Sequence, residues 1–293
     1  MSPSSQSRFG FRLSRSGFVL SISFLVCACG DTSARVGTDD AEVADELELA
    51  FPELKGEVAE GEFEVGGTRQ RLSYRYVKGH VVVDGDMIVA RDDELDGVAT
   101  VEQSVASVKA TGLWPNGTVP YVIDPALPNP ARVTQAIAVW HAKTNLKFVA
   151  RTTQSTYVLI GPGSGCSADV GYRAGVRRVT LGTNCSTGST IHELGHIVGL
   201  WHEQSRSDRD TFLTVKWENV QAGKEHNFKT YQQQGRLGQD VGAYDFGSVM
   251  HYAPTAFSTN GLPTLVKKTG GSWSANRTTL SPNDVTTIAQ LYR

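Results

Sequence analysis

From about residue 110 onward this 293-residue chain reads as an α+β protein. Three observations predict it. Short strand-like runs and amphipathic helical runs come first, up to about Gly199. A long stretch rich in Gly, Ser, Asn and Gln follows, and one more amphipathic helix closes the chain. Regular elements first and irregular chain later predict a mixed sheet with helices on it, then a loop-rich half with a terminal helix.

The elements follow in order. Residues 63–90 alternate in a strand-like way, and Val81-Val82-Val83 and Met87-Ile88-Val89 flank Asp84-Gly85-Asp86. Asp-Gly between apolar runs is a strong hairpin signal. Residues 91–109 are polar and charged and read as a linker. Strands are expected at 119–124, 146–150, 157–160 and 176–181. Asn129-Pro130 offers a helix cap with proline at the first helical position. Val133, Ala136, Ile137 and Trp140 then fall at i, i+3, i+4 and i+7, one buried face. A second helix is expected from about Ser189. Ser281-Pro282-Asn283-Asp284 is a capping-type start for the last helix, whose apolar face is Val285, Ile288, Ala289 and Tyr292.

Forty per cent of residues are hydrophobic and 20% charged, as in an ordinary globular protein. A formal net charge of −2 supplies no electrostatic reason to expect nucleic acid or an anionic membrane surface as partner. A monomer is the expectation. Residues 1–29 read as an export signal: Arg8, Arg12 and Arg15 precede a short apolar run that ends in small residues. Val26-Cys27-Ala28-Cys29 resembles a bacterial lipobox, so Cys29 is either lipidated, giving an envelope anchor, or removed in a plain cleavage that releases the protein. Residues 30–108 begin with an acidic tether and precede the main domain, 109–293. Cys166 and Cys185 remain after the signal. In an exported protein such a pair reads as a disulfide, with free buried thiols as the alternative.

The decisive run is His192-Glu193-Leu194-Gly195-His196-Ile197-Val198-Gly199-Leu200-Trp201-His202. Residues four apart share a helix face, so His192 and His196 can offer two imidazoles to one metal. Glu193 is then placed to reach water rather than the metal. His202 would point away if the helix continued, but Gly199 can adopt the left-handed conformation that ends a helix and let the chain turn back. Three neutral imidazoles with an open position are the pattern of catalytic zinc, one Zn2+ per domain. His80, His141, His226 and His251 lack such spacing and read as surface or hydrogen-bonded histidines.

This run resembles the extended zinc signature of the metzincins and, within them, of the astacin family. Tyr244-Asp245-Phe246-Gly247-Ser248-Val249-Met250-His251-Tyr252 is similar to the astacin Met-turn, and Leu113-Trp114-Pro115-Asn116-Gly117-Thr118-Val119-Pro120-Tyr121 to the start of the mature catalytic domain. The resemblance implies a two-subdomain zinc metalloendopeptidase. Its sheet half would carry His192 and His196, and its irregular half His202 and the Met-turn. Glu193 would be the general base, Tyr252 a resting fifth ligand that moves to stabilise an oxyanion, and Met250 the apolar floor under the histidines. Glu203 would pair with a new N-terminus after propeptide removal. Cys166 and Cys185 match one family disulfide. Residues 30–108 would then hold a pro-segment, and astacin pro-segments place an aspartate after a glycine onto the zinc. Gly85-Asp86 fits that pattern with Val83 where phenylalanine is usual, against the plain reading of a hairpin turn. The rival class is a zinc-binding adhesin without catalysis, against which the complete signature and Tyr252 argue.

Overall fold

Ten strands form one sheet among the residues that the computed structural model describes, which are 49–52, 58–65, 68–91, 105–107, 112–235 and 238–293. The signal segment, Cys29 and nearly all of the acidic tether lie outside the described residues. Strands β1 (Val58–Val65), β2 (Thr68–Val77), β3 (His80–Val83) and β4 (Met87–Arg91) make an antiparallel meander. The Asp84-Gly85-Asp86 turn joins β3 to β4 with φ of 47° at Asp84 and 88° at Gly85, the positive values that a tight hairpin demands. The hairpin reading holds. The linker reading needs correction, since Val105–Ser107 is a strand, β5, lying parallel to β1.

The second half of the sheet is built from β6 (Thr118–Ile123), β7 (Lys147–Ala150), β8 (Tyr157–Pro162), β9 (Cys166–Asp169) and β10 (Val176–Leu181). The strand order is β5-β1-β2-β3-β4-β9-β10-β8-β6-β7. Strand β9 runs antiparallel to β10, while β10, β8, β6 and β7 are mutually parallel. Sequence reading missed β9. All four of its residues are buried, so Cys-Ser-Ala-Asp carries no alternation to betray it.

The two helices α1 (Ala131–Lys143) and α2 (Thr187–Ile197) pack together. Val133, Ala136, Ile137 and Trp140 are the buried face of α1, as their spacing predicts. Its start falls one residue later than expected: Asn129 takes a φ of 49° and offers no side-chain cap, leaving Pro130 at the N-cap. Helix α2 starts at Thr187 because Ser186 Oγ accepts the Ser189 N–H at 3.0 Å. Trp140 Nε1 donates to the Ile191 carbonyl at 3.1 Å and Trp114 Nε1 to that of Ile197 at 2.7 Å, which satisfies both indoles inside the core.

Cys166 and Cys185 are joined in a disulfide with Cα atoms 6.0 Å apart. It ties β9 to the loop before α2, a closure of 19 residues that contributes about 3 kcal/mol in the chain-entropy model. Beyond Gly199 the chain is mostly irregular, with a small ladder of β11 (Leu213–Val215) and β12 (Leu265–Lys267). It ends in α3 (Pro282–Leu291), whose Ser281 and Asp284 complete the expected capping box. A second core gathers there around Phe228, Tyr244, Tyr252, Phe257 and Leu265, and takes in Leu49 from the N-terminal side. Leu49 and Ala50 are therefore buried, where composition alone suggested a solvated tether. Among the described residues no helix is long and apolar enough to cross a membrane.

Candidate metal centre

Helix α2 is buried along its whole length from Gly188 to Ile197, so its polar side chains have no water to turn to. His192, Glu193 and His196 are all fully buried. Such burial is costly unless the groups find partners. The helix ends as Gly199 predicts, with φ of 96°. The Leu200 N–H donates to the Gly195 carbonyl at 2.9 Å and the Gly199 N–H to that of His196 at 2.9 Å, a Schellman cap. The same reversal aims the Leu200 carbonyl at His196 Nδ1, 2.9 Å away, and carries His202 back to the helix.

Four side chains converge. His202 Nε2 is 3.3 Å from His192 Nε2. Asp86 Oδ2 lies 3.4 Å from His192 Nε2, and Oδ1 lies 3.4 Å from His202 Nε2 and 3.6 Å from His196 Nε2. Both Asp86 oxygens and His196 Nε2 are buried without a hydrogen-bond partner. Those separations are too long for good hydrogen bonds. They match the spacing between ligand atoms about 2.1 Å from a tetrahedral metal, roughly 3.4 Å from one to the next. The donor set therefore fits one metal ion.

The surrounding groups favour ligation. His192 Nδ1 faces the Val249 carbonyl at 2.8 Å, and His196 Nδ1 that of Leu200. A donated Nδ1–H leaves each Nε2 lone pair for the metal. Burial pushes the His196 imidazole down to about 4, against the attraction of Asp86, which keeps it neutral. Burial alone would push the Asp86 carboxyl up, but the facing imidazoles, His202 foremost, hold it well below the usual carboxylate range. Neutral imidazole and ionised carboxylate are the forms that bind metal.

Several residues that sequence reading passed over hold this arrangement. Asp284, read only as a helix cap, also accepts from Ser248 Oγ at 2.6 Å and from the Val249 N–H at 3.0 Å. Arg277 Nη1 donates to the Val249 carbonyl at 2.9 Å and the His251 carbonyl at 3.2 Å. Gln204 Oε1 accepts the Tyr252 N–H at 3.1 Å. No local signal marks Arg277 or Gln204, because each acts on chain far away in sequence. Met250 packs its Sδ 2.5 Å from where a Cβ on Gly195 would stand, which explains that glycine within the signature.

Gly188 is tighter still. A Cβ there would lie 1.9 Å from the Arg277 carbonyl oxygen, and backbone cannot step aside as a side chain can. Alanine is the better helix former by about 1 kcal/mol, yet Gly188→Ala is expected to destabilise by about 2 kcal/mol net through overpacking. Thermal unfolding should show a Tm lower by roughly 5 °C. An unchanged or higher Tm would mean the Arg277 loop is free to move.

The remaining predicted residues fall as follows. The Tyr252 hydroxyl donates to the Asp84 carbonyl at 2.7 Å, with its ring centroid 4.8 Å from that of His202. Glu203 Oε1 accepts the Asp245 N–H at 2.8 Å, and Arg206 Nη1 lies 3.5 Å away. Glu203 also lines a cavity of about 460 Å³ with Gly112, Leu113, Gly171 and Asp284. Burial pushes its carboxyl up to about 8, with Arg206 opposing. His141 accepts the Phe148 N–H at Nε2, and His251 sits between the Tyr244 hydroxyl and the Tyr252 carbonyl. Both are the hydrogen-bonded histidines expected.

The family model described as astacin, a peptidase family, matches residues 106–293. The chain belongs to the astacin family. This astacin is 40% identical over 185 residues to the zinc metalloproteinase nas-4 of Caenorhabditis elegans, covering 61% of this chain and 58% of that protein. It is 36% identical over 185 residues to the meprin A subunit beta of Homo sapiens, covering 61% of this chain and 26% of that subunit. The chain thus spans less than two thirds of the length of these curated relatives. Among solved structures it is similar to high choriolytic enzyme 1, a hatching enzyme zinc-protease from Oryzias latipes. That match has a TM-score of 0.56 and 29% identity, and covers 62% of this chain and 93% of that one. Zinc is the metal of this family, and the astacin's buried His-His-His-Asp cluster is positioned to bind one ion.

Proposed function

We propose that this chain is an exported zinc metalloendopeptidase made as a latent precursor, in which Asp86 occupies the metal's substrate side. The observation that carries the reading is the convergence of the Asp86 carboxylate, from the hairpin before the family domain, on three imidazole nitrogens at 3.4–3.6 Å. Further support comes from β4, which pairs with β9 through Met87 opposite Ala168 and Ile88 opposite Asp169. That edge is where an extended peptide would add as a strand.

In this reading His192, His196 and His202 hold zinc, and Met250 supplies the apolar floor beneath them. When bound, the zinc supplies Lewis acidity, lowering the pKa of water and polarising a carbonyl. Glu193 takes a proton from the attacking water and passes it to the leaving amine. Tyr252, released from the Asp84 carbonyl when the hairpin leaves, donates to the oxygen on which charge develops. Glu203, in its cavity beside Gly112 and Leu113, pairs with the ammonium of a new N-terminus. The substrates are proteins or peptides. Cys29 lipidation would keep the enzyme at the envelope, and plain cleavage would release it.

A casein digestion assay tests the core of this. The zinc-loaded chain, matured by limited proteolysis, should digest casein, lose more than about 95% of that activity to a chelator, and regain it with zinc, as a mandatory metal requires. Folded chain carrying one zinc that cleaves nothing, or cleavage indifferent to chelation, would overturn the reading.

A further inference from the structure

Besides Asp86, the hairpin brings Arg91 onto the sheet edge that it covers. Ile88 lies opposite Asp169 on β9, and Arg91 ends β4 three residues later. Arg91 Nη2 donates to Asp169 Oδ2. Its Nη1 donates at 3.4 Å to the carbonyl of Val176, the first residue of β10. The guanidinium therefore reaches across β9, and Arg91 is 9% exposed. Both of these acceptors belong to the family domain, and the cation to the hairpin.

Asp169 is fully buried. Its Oδ2 also takes the Arg178 N–H at 2.7 Å and lies 3.7 Å from Arg177 Nη1. Its Oδ1 has no hydrogen-bond partner. A carboxylate accepts several hydrogen bonds, and a guanidinium is the donor whose fork best supplies them. When β4 leaves the edge, Asp169 and the Val176 carbonyl lose the donors that Arg91 supplies. A buried acceptor left short of donors costs free energy until another arrives.

We infer that Asp169 and the Val176 carbonyl form a subsite for an arginine side chain of the substrate, which Arg91 fills in the precursor. The inference rests on the peptidase reading and adds a substrate class: peptides with an arginine to one side of the scissile bond. Asp86 faces the metal ligands and Ile88 and Arg91 mark the subsite, so the arginine stands roughly two to five residues from the bond cut, at about 3.3 Å per extended residue.

Two measurements on the matured, zinc-loaded chain test this. In a peptide library varied at each position, kcat/KM for arginine over leucine should be on the order of 10-fold or more at one such position, the size expected of a charged hydrogen-bonded pair. That ratio should fall towards one in Asp169→Asn. No arginine preference at any position, or a ratio that Asp169→Asn leaves intact, overturns the subsite. The second measurement needs neither catalysis nor a variant protein. A synthetic peptide of residues 80–91 ending in Arg91 should bind by calorimetry at least about 10-fold tighter than its Arg91→Leu counterpart, and equal binding again overturns the subsite. Tighter binding of the arginine peptide, with no cleavage of any library peptide, would keep the subsite and reject the peptidase reading instead.

Discussion

Glu193→Gln should leave zinc content at one per chain and lower kcat/KM by about three orders of magnitude, within the range for loss of a positioned general base. The substitution keeps the shape of the side chain and removes its basicity. His192 and His196, on either side along α2, keep the backbone acceptors that orient their rings, the Val249 and Leu200 carbonyls. The metal site should therefore survive, and the loss should appear in kcat rather than KM, since a group that moves a proton acts in the transition state. Metal analysis and steady-state kinetics on the same preparation decide it. A Glu193→Gln chain that keeps zinc and cleaves at the wild-type rate removes Glu193 from the chemistry. Loss of zinc together with activity would make its role structural.

Asp86→Ala should raise the activity of the uncut precursor on the order of 100-fold above wild type. The carboxylate is tethered to the site by its own chain, so its effective concentration is at least millimolar and a diffusing peptide competes poorly with it. Alanine removes the ligand atoms but leaves the β4–β9 pairing, with the Ala168 N–H on the Asp86 carbonyl at 3.2 Å and the Val170 N–H on the Ile88 carbonyl at 3.3 Å. Activity should accordingly stop short of the fully matured level. Ser205 Oγ and Gln234 Nε2 also hold the Asp84 carboxylate, at 3.1 Å each, and Asp86→Ala does not touch them. Assaying precursor that gel analysis shows to be uncut separates this effect from accelerated maturation. Unchanged latency with zinc in place would reject Asp86 as the inhibitory group.

Much of the site was legible because its code is local. His192 and His196 share a helix face, and Gly199 sits where a left-handed residue must end that helix. Both facts are written within eleven consecutive residues. The Asp84-Gly85-Asp86 turn is local in the same sense, and so is the Ser281–Asp284 capping box. Elements whose identity depends on distant partners were not legible. Strand β9 is a strand because β10 and β4 flank it, and the chain at 105–107 is a strand because β1 is beside it.

The contacts that orient the ligands span long separations: 57 residues from His192 to Val249, 35 from Val249 to Asp284, 28 from Val249 to Arg277 and 168 from Tyr252 to Asp84. Periodicity and cap chemistry act over one or two helical turns, so the amino-acid order alone determined the three imidazoles, their reversal at Gly199, the hairpin and the α+β class. Which carbonyl faces each imidazole, which strand covers the cleft edge, and that Asp86 meets all three histidines were decided only by tertiary packing. Those choices depend on loops that close over tens of residues, at an entropic cost only the assembled core repays.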